Sequence, residues 1–294
     1  MYLMRIFKYL VEAVIIYFLF ILFRICGLNI ARKISSFLMK KIGFIFRKKS
    51  VVRKNILNVF KDYSDTQIKK LTDTMWENYG YILAEYIYLD RFRLNKFAKK
   101  NINLIGEEKL KNIIESKKPH IFISGHFGNF ELMAMELEKR GVNLATIYRP
   151  LNNFFLNPFM LYLRKKYICK NQIKKGLRGT RDVINFAKQS FSIALMVDQR
   201  VGESERYPFF NIPAHTTTIP AQLALKFHMD IVPVHLKREE DNSFTLEILD
   251  KVQIEKTNII EEDKKNFTIE INKIIEKMVL KNPGQWIWTH SRWK

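Results

Sequence analysis

Cysteine is scarce in this chain, and so is negative charge. Only Cys26 and Cys169 occur in 294 residues. One lies in an apolar N-terminal stretch and the other far away, so a disulfide framework is not expected, as suits a reducing compartment. Phosphate-binding signatures are missing too: neither G-x-x-x-x-G-K-[S/T] nor G-x-G-x-x-G is present. The six histidines, 120, 126, 215, 228, 235 and 290, show no H-E-x-x-H or other paired-ligand spacing. No metal and no cofactor are therefore expected. No internal repeat and no low-complexity linker divides the chain. Acidic residues number 29 against 50 Lys and Arg, a formal net charge of +21. So strong an excess points to an anionic partner: nucleic acid, an anionic lipid surface, or an acidic substrate or carrier.

The charge is unevenly placed. Twelve Lys and Arg, against the single acid Glu12, fall before residue 55. Within that stretch Ala13 to Phe23 is uninterruptedly apolar, about half of the ~20 residues a spanning helix needs. No Ala-x-Ala-like cleavage site follows, which argues against a removed signal peptide. Basic residues from Arg32 to Lys54 then alternate with Ile34, Phe37, Leu38, Ile42, Phe44 and Phe46. This pattern reads as a membrane anchor with an interfacial arm over residues 1–50, the flanking charge placing the body on the cytoplasmic side. A nucleic-acid-binding protein would also explain the charge, but no recognised motif of that class appears, and nucleic acid is not expected as a partner.

Residues 51–294 read as one domain. Ser64-Asp65-Thr66-Gln67 has cap chemistry ahead of Ile68, Leu71, Met75 and Tyr79 at helical spacing. Strands are expected at 102–106, 120–123, 142–148, 191–197, 231–236 and 244–249. Helices are expected between them, at 107–116, 131–138, 154–167, 183–189 and 219–228, and then at 266–280. This alternation predicts an α/β fold with a mixed central sheet flanked by helices.

The stretch Ser124-Gly125-His126-Phe127-Gly128-Asn129-Phe130-Glu131 turns sharply from strand to helix. Two glycines make the turn sterically possible. It can bring Glu131 to one nitrogen of His126 and leave the other facing a cleft, an orienting carboxylate and a general base. Arg149 and Asp198 also stand at the C-terminal ends of expected strands, the edge where open α/β sheets bind ligands.

These residues carry a resemblance. His126 to Glu131 matches the H-x-x-x-x-[D/E] motif of the glycerolipid acyltransferase superfamily. More closely, the chain resembles the lipid A late acyltransferases, the lauroyl and myristoyl transferases of Gram-negative inner membranes. Further similar segments follow in order: Arg53-Lys54-Asn55-Ile56, Tyr148-Arg149-Pro150 followed by Asn152-Asn153, Asp198-Gln199, the Phe-rich 208–211 with its threonines, and Pro283-Gly284-Gln285-Trp286-Ile287-Trp288-Thr289-His290-Ser291-Arg292. His215 departs from the family pattern at its position. The resemblance implies catalytic roles for His126 and Glu131. It implies substrate contacts for Arg149, Asn153, Asp198 and Gln199, while Arg164, read from its place on the helix expected at 154–167, is a second candidate anion contact. It also implies an acyl carrier protein as acyl donor, a Kdo-bearing lipid A precursor as acceptor, and an inner-membrane location. The alternative it leaves open is a membrane acyltransferase acting on a glycerophospholipid or another glycolipid.

Overall fold

A computed structural model describes residues 2–97, 101–202, 204–257 and 259–294. Helices α1 (Tyr2–Cys26), α2 (Leu28–Phe46), α3 (Lys49–Val59), α4 (Asp65–Glu85) and α5 (Leu89–Arg93) lead the chain. Strand β1 (Ile102–Ile105), helix α6 (Glu107–Glu115), strand β2 (His120–Ser124), helix α7 (Glu131–Lys139) and strand β3 (Leu144–Tyr148) follow. Next come α8 (Asn157–Leu163), β4 (Asn171–Lys174), α9 (Leu177–Lys188) and β5 (Ser192–Met196). The last part holds β6 (Arg206–Phe209), β7 (Ile212–His215), α10 (Ile219–Phe227), β8 (Asp230–Arg238), β9 (Phe244–Ile248) and α11 (Ile260–Lys281).

Seven strands form one sheet in the order β1-β9-β8-β2-β5-β3-β4, and β8–β9 is its antiparallel pair. The expected mixed α/β sheet is therefore present. Each central strand is buried on both faces. Ile121 and Ile123 of β2 enter one core with Ile193 and Leu195 of β5, under α10, α11 and Trp286. Phe122 enters the other with Ala194 and Val232, under α7 and α8. Burial on both sides explains why these strands read as continuous apolar runs.

Several details depart from the sequence expectation. The helix expected at 154–167 is α8 followed by a π-helical turn at Arg164–Ile168. Pro158 in the first turn of α8 suits a helix start, where its missing N–H is not needed. Strand β4 was not expected, and α9 starts at Leu177 rather than at Val183. The β6–β7 hairpin lies where only a Phe-rich loop was read. Ahead of α4 the expected cap is realised as a capping box: the Gln67 N–H donates to Ser64 Oγ at 3.3 Å and the Ser64 N–H to Gln67 Oε1 at 2.8 Å.

The N-terminal helices are built onto the body. Tyr17 Oη donates to the Phe155 carbonyl at 2.9 Å, Tyr88 Oη donates to the Phe23 carbonyl at 2.6 Å, and Arg24 pairs with Asp90 at 2.9 Å. Along its other side α1 exposes Leu3, Phe7, Val14, Phe18, Ile21 and Ile25. Residues Leu3–Cys26 are long and apolar enough to cross a membrane.

A buried charge cluster ties α2 and α4 to the sheet. Glu85, at the end of α4, is fully buried between Arg32 of α2 and Arg238 of β8. Burial works to raise the Glu85 pKa, but the two guanidinium groups outweigh it and hold it below the ordinary value. Glu85→Ala would leave both cations buried without a counter-charge. The expected cost is about 3–5 kcal/mol of stability, read as a large drop in melting temperature of the purified protein. A melting curve within error of wild type would show the cluster to be dispensable.

Candidate active site

Strands β2, β5 and β3 are parallel neighbours, so their C-terminal ends lie side by side. Ser124 of β2 pairs with Met196 of β5. Two residues further along each chain come His126 and Asp198, which meet. Asp198 Oδ1 accepts from His126 Nδ1 at 2.7 Å, and Oδ2 accepts from the His126 backbone N–H at 2.8 Å. Trp286 Nε1 donates to the same Oδ2 at 2.8 Å. Burial alone would raise the Asp198 pKa. The facing imidazole and the donated hydrogen bonds prevail and bring it down to about 2. A permanent carboxylate on Nδ1 fixes that nitrogen as the N–H and leaves Nε2 as the acceptor. Gln199 Nε2 lies 3.3 Å from His126 Nε2.

The turn carrying His126 is held from behind. Gly128 has φ +49°, the left-handed region that favours glycine. A Cβ on Gly125 would come within 2.6 Å of the Phe127 ring and 3.2 Å of Asp198 Oδ2, so only glycine lets the backbone pass this carboxylate. Asn129 donates to Glu85 Oε2 at 3.0 Å, and Asn78 donates to the Gly128 carbonyl at 3.2 Å.

Glu131 does not orient the imidazole. Its carboxylate accepts from Tyr86 Oη and from Arg164, whose Nε lies 2.9 Å from Oε1. Burial would lower the Arg164 pKa, but Glu131 and Tyr86 raise it, so the guanidinium stays charged. Tyr86 is pushed well above its ordinary value, first by burial and then by Glu131, and remains a neutral donor. The sequence expectation of a His126–Glu131 pair is therefore corrected to His126–Asp198, with Glu131–Arg164 as a second pair alongside. Asn153 is also corrected. It donates to the Tyr9 carbonyl at 2.8 Å and accepts from the Phe155 N–H at 3.0 Å, so it fastens α1 and is absent from the residues lining the cavity.

A cavity of about 340 Å³ opens at this sheet edge. His126, Glu131, Arg149, Arg164 and Gln199 all line it. Met133, Ala134, Ile168, Ala194 and Met196 give it an apolar wall. Arg149 is exposed, beside Lys175, whose pKa is lowered by partial burial and by the Arg149 charge. Two adjacent cations suit an anionic group. Among the described residues no cluster of His, Cys, Asp and Glu could hold a metal ion. Sequence reasoning missed Tyr86, Trp286 and His290 as parts of this region. For the last two the C-terminal Trp-x-Trp-x-His pattern was the available signal.

A family model described as bacterial lipid A biosynthesis acyltransferase matches residues 3–294. The lipid A biosynthesis palmitoleoyltransferase of Escherichia coli (strain K12) is 25% identical over 267 residues, covering 88% of this chain and 84% of that protein. The lipid A biosynthesis lauroyltransferase of the same strain is 24% identical over 260 residues, covering 86% and 81%. A lipid A biosynthesis acyltransferase of Haemophilus influenzae (strain ATCC 51907 / DSM 11121 / KW20 / Rd) is 24% identical over 260 residues, covering 84% and 78%.

Asp198→Asn removes the charge that fixes the His126 tautomer and turns an acceptor toward a donor. The expected loss of turnover is about 10⁴-fold, the scale seen when an orienting carboxylate is neutralised in a serine-protease triad. Steady-state kinetics on the purified variant measure it. A loss below about tenfold would show that Asp198 is not the orienting group.

Proposed function

The chain belongs to the bacterial lipid A biosynthesis acyltransferase family and is an acyltransferase, and from that premise we propose a donor, an acceptor and a chemical mechanism. The donor is a fatty acyl thioester of acyl carrier protein. The acceptor is a hydroxyl of a Kdo-bearing lipid A precursor. The reaction takes place at the cytoplasmic face of the inner membrane, with α1 and its basic flank against anionic lipid. The observation that carries the mechanism is His126 on the cavity wall, with Nδ1 on a buried carboxylate and Nε2 left as acceptor.

His126 Nε2 takes the proton of the acceptor hydroxyl as its oxygen attacks the thioester carbonyl. A C–O bond forms and the carbonyl π pair moves onto oxygen. Collapse of the tetrahedral adduct breaks the C–S bond, and the leaving thiolate takes the proton from the imidazolium. Asp198 stabilises that imidazolium while it exists. No covalent enzyme intermediate and no cofactor are required. Glu131 holds Arg164, whose cationic group on the cavity wall favours the developing negative charge. Arg149 and Lys175 face the phosphate groups of substrate or carrier. The apolar wall takes the acyl chain.

Membranes containing the chain, incubated with lauroyl-, myristoyl- or palmitoyl-acyl carrier protein and a Kdo-bearing tetra-acylated precursor, test this by mass spectrometry of the lipid. One added acyl chain is expected, and His126→Ala is expected to lose about 10²–10⁴-fold of the rate. No product with any of these donors sinks the donor and acceptor assignment and favours a glycerophospholipid or other glycolipid acceptor. Undiminished transfer by His126→Ala overturns the mechanism.

A further inference from the structure

The acid–base pair leaves one imidazole on the cavity wall without a task. His290 lines the same cavity as His126. Its Nε2 accepts the backbone N–H of Arg200 at 2.6 Å. A backbone N–H can only donate, so Nε2 must present a lone pair and the ring proton must sit on Nδ1. That Nδ1–H has no protein acceptor among the described residues and is not sealed from solvent. Protonating the ring would set Nε2–H against Arg200 N–H, donor facing donor. Burial acts in the same sense and brings the His290 pKa down to about 4. The ring is thus a neutral hydrogen-bond donor across the physiological range.

Its position is fixed from several sides. Asn55 Nδ2 donates to the carbonyls of His290 and Trp288, both at 2.7 Å. Tyr79 Oη lies 2.7 Å from Thr289 Oγ1. Trp286 is bonded to Asp198, and Arg200 lies two residues beyond Asp198. The contacts that place His126 therefore also place His290, a preorganised arrangement of base and donor around one space.

We infer that His290 is a further catalytic residue, donating through Nδ1–H to the thioester carbonyl oxygen as it becomes the oxyanion. The inference rests on the acyl-transfer mechanism above. As the hydroxyl oxygen adds, the carbonyl π pair moves onto oxygen and strengthens the hydrogen bond. When the C–S bond breaks, the carbonyl re-forms and the bond weakens again. A neutral donor gains most where charge develops, so its effect falls on the transition state rather than on binding. The phosphate groups have their own cations in Arg149 and Lys175, which makes a neutral donor a poor choice for that duty.

Two reciprocal variants separate this role from a structural one. His290→Gln puts an amide oxygen near the Nε2 position, where it can accept from Arg200, and removes the Nδ1 donor. His290→Asn puts an amide N–H near the Nδ1 position and leaves Arg200 without its acceptor. Acyl transfer to a lipid A acceptor is measured for both, with melting temperature as the check on folding. His290→Gln is expected to lose about 10²–10³-fold in kcat with KM within about twofold, and His290→Asn to stay within about tenfold of wild type. Full activity in His290→Gln, or loss in His290→Asn alone, overturns the inference and leaves His290 as a strut for the Arg200 loop. Equal loss in both overturns it too. A wild type that uses acyl-coenzyme A but not acyl carrier protein refutes the proposed donor, while the comparison of the two variants is read with the coenzyme A thioester.

Discussion

The Asp198 carboxylate is the point at which three distant parts of the chain meet. It accepts the backbone N–H and the Nδ1–H of His126 and the indole N–H of Trp286. Each is a hydrogen bond to an ionised acceptor inside the protein, the strong kind. The turn after β2, the end of β5 and the C-terminal segment are thus set against one another by a single group. Because Asp198 is fully charged, the His126 tautomer is fixed before any substrate arrives. Because Trp286 is bonded to it, the segment that carries His290 is brought to the same cavity.

Behind this centre lies a second buried charge. Glu85 holds Arg32 and Arg238, and its free acceptor capacity takes the side chain of Asn129 in the His126 turn. A long path of sequence is closed this way, since α2, α4, β8 and the turn all contribute. The same α2 follows α1, which is fixed to the body by Asn153, Tyr17 and Arg24 while an apolar stripe stays exposed. The helix that carries the exposed apolar stripe and the residues that line the cavity consequently belong to one connected packing arrangement.

The sequence was informative where the chemistry is local. The strand–turn–helix around His126 is written in its glycines and in the apolar runs that flank it. Arg149 and Asp198 were placed at strand ends, and those ends lie together. What could not be read was which strands are neighbours. Glu131 stands five residues from His126 and Asp198 stands far downstream, yet β2 pairs with β5, so the distant carboxylate reaches the imidazole. Glu131 instead faces Arg164 and Tyr86, partners supplied by α8 and α4 neighbours that no spacing rule connects. Asn153 was expected to contact substrate because the family's Tyr-Arg-Pro segment is followed by asparagine. Its hydrogen bonds to α1 depend on a packing contact across most of the chain. The β6–β7 hairpin was missed because its strands are short and contain prolines, which weaken a strand signal.

The central claim is that Asp198, and not Glu131, governs the His126 ring. Nitrogen-15 NMR of the His126 ring in wild type, Asp198→Asn and Glu131→Gln tests it most directly. The account predicts a protonated Nδ1 and a bare Nε2 in wild type, a changed tautomer distribution in Asp198→Asn, and an unchanged ring in Glu131→Gln. An unperturbed ring in Asp198→Asn together with a shifted one in Glu131→Gln would contradict it.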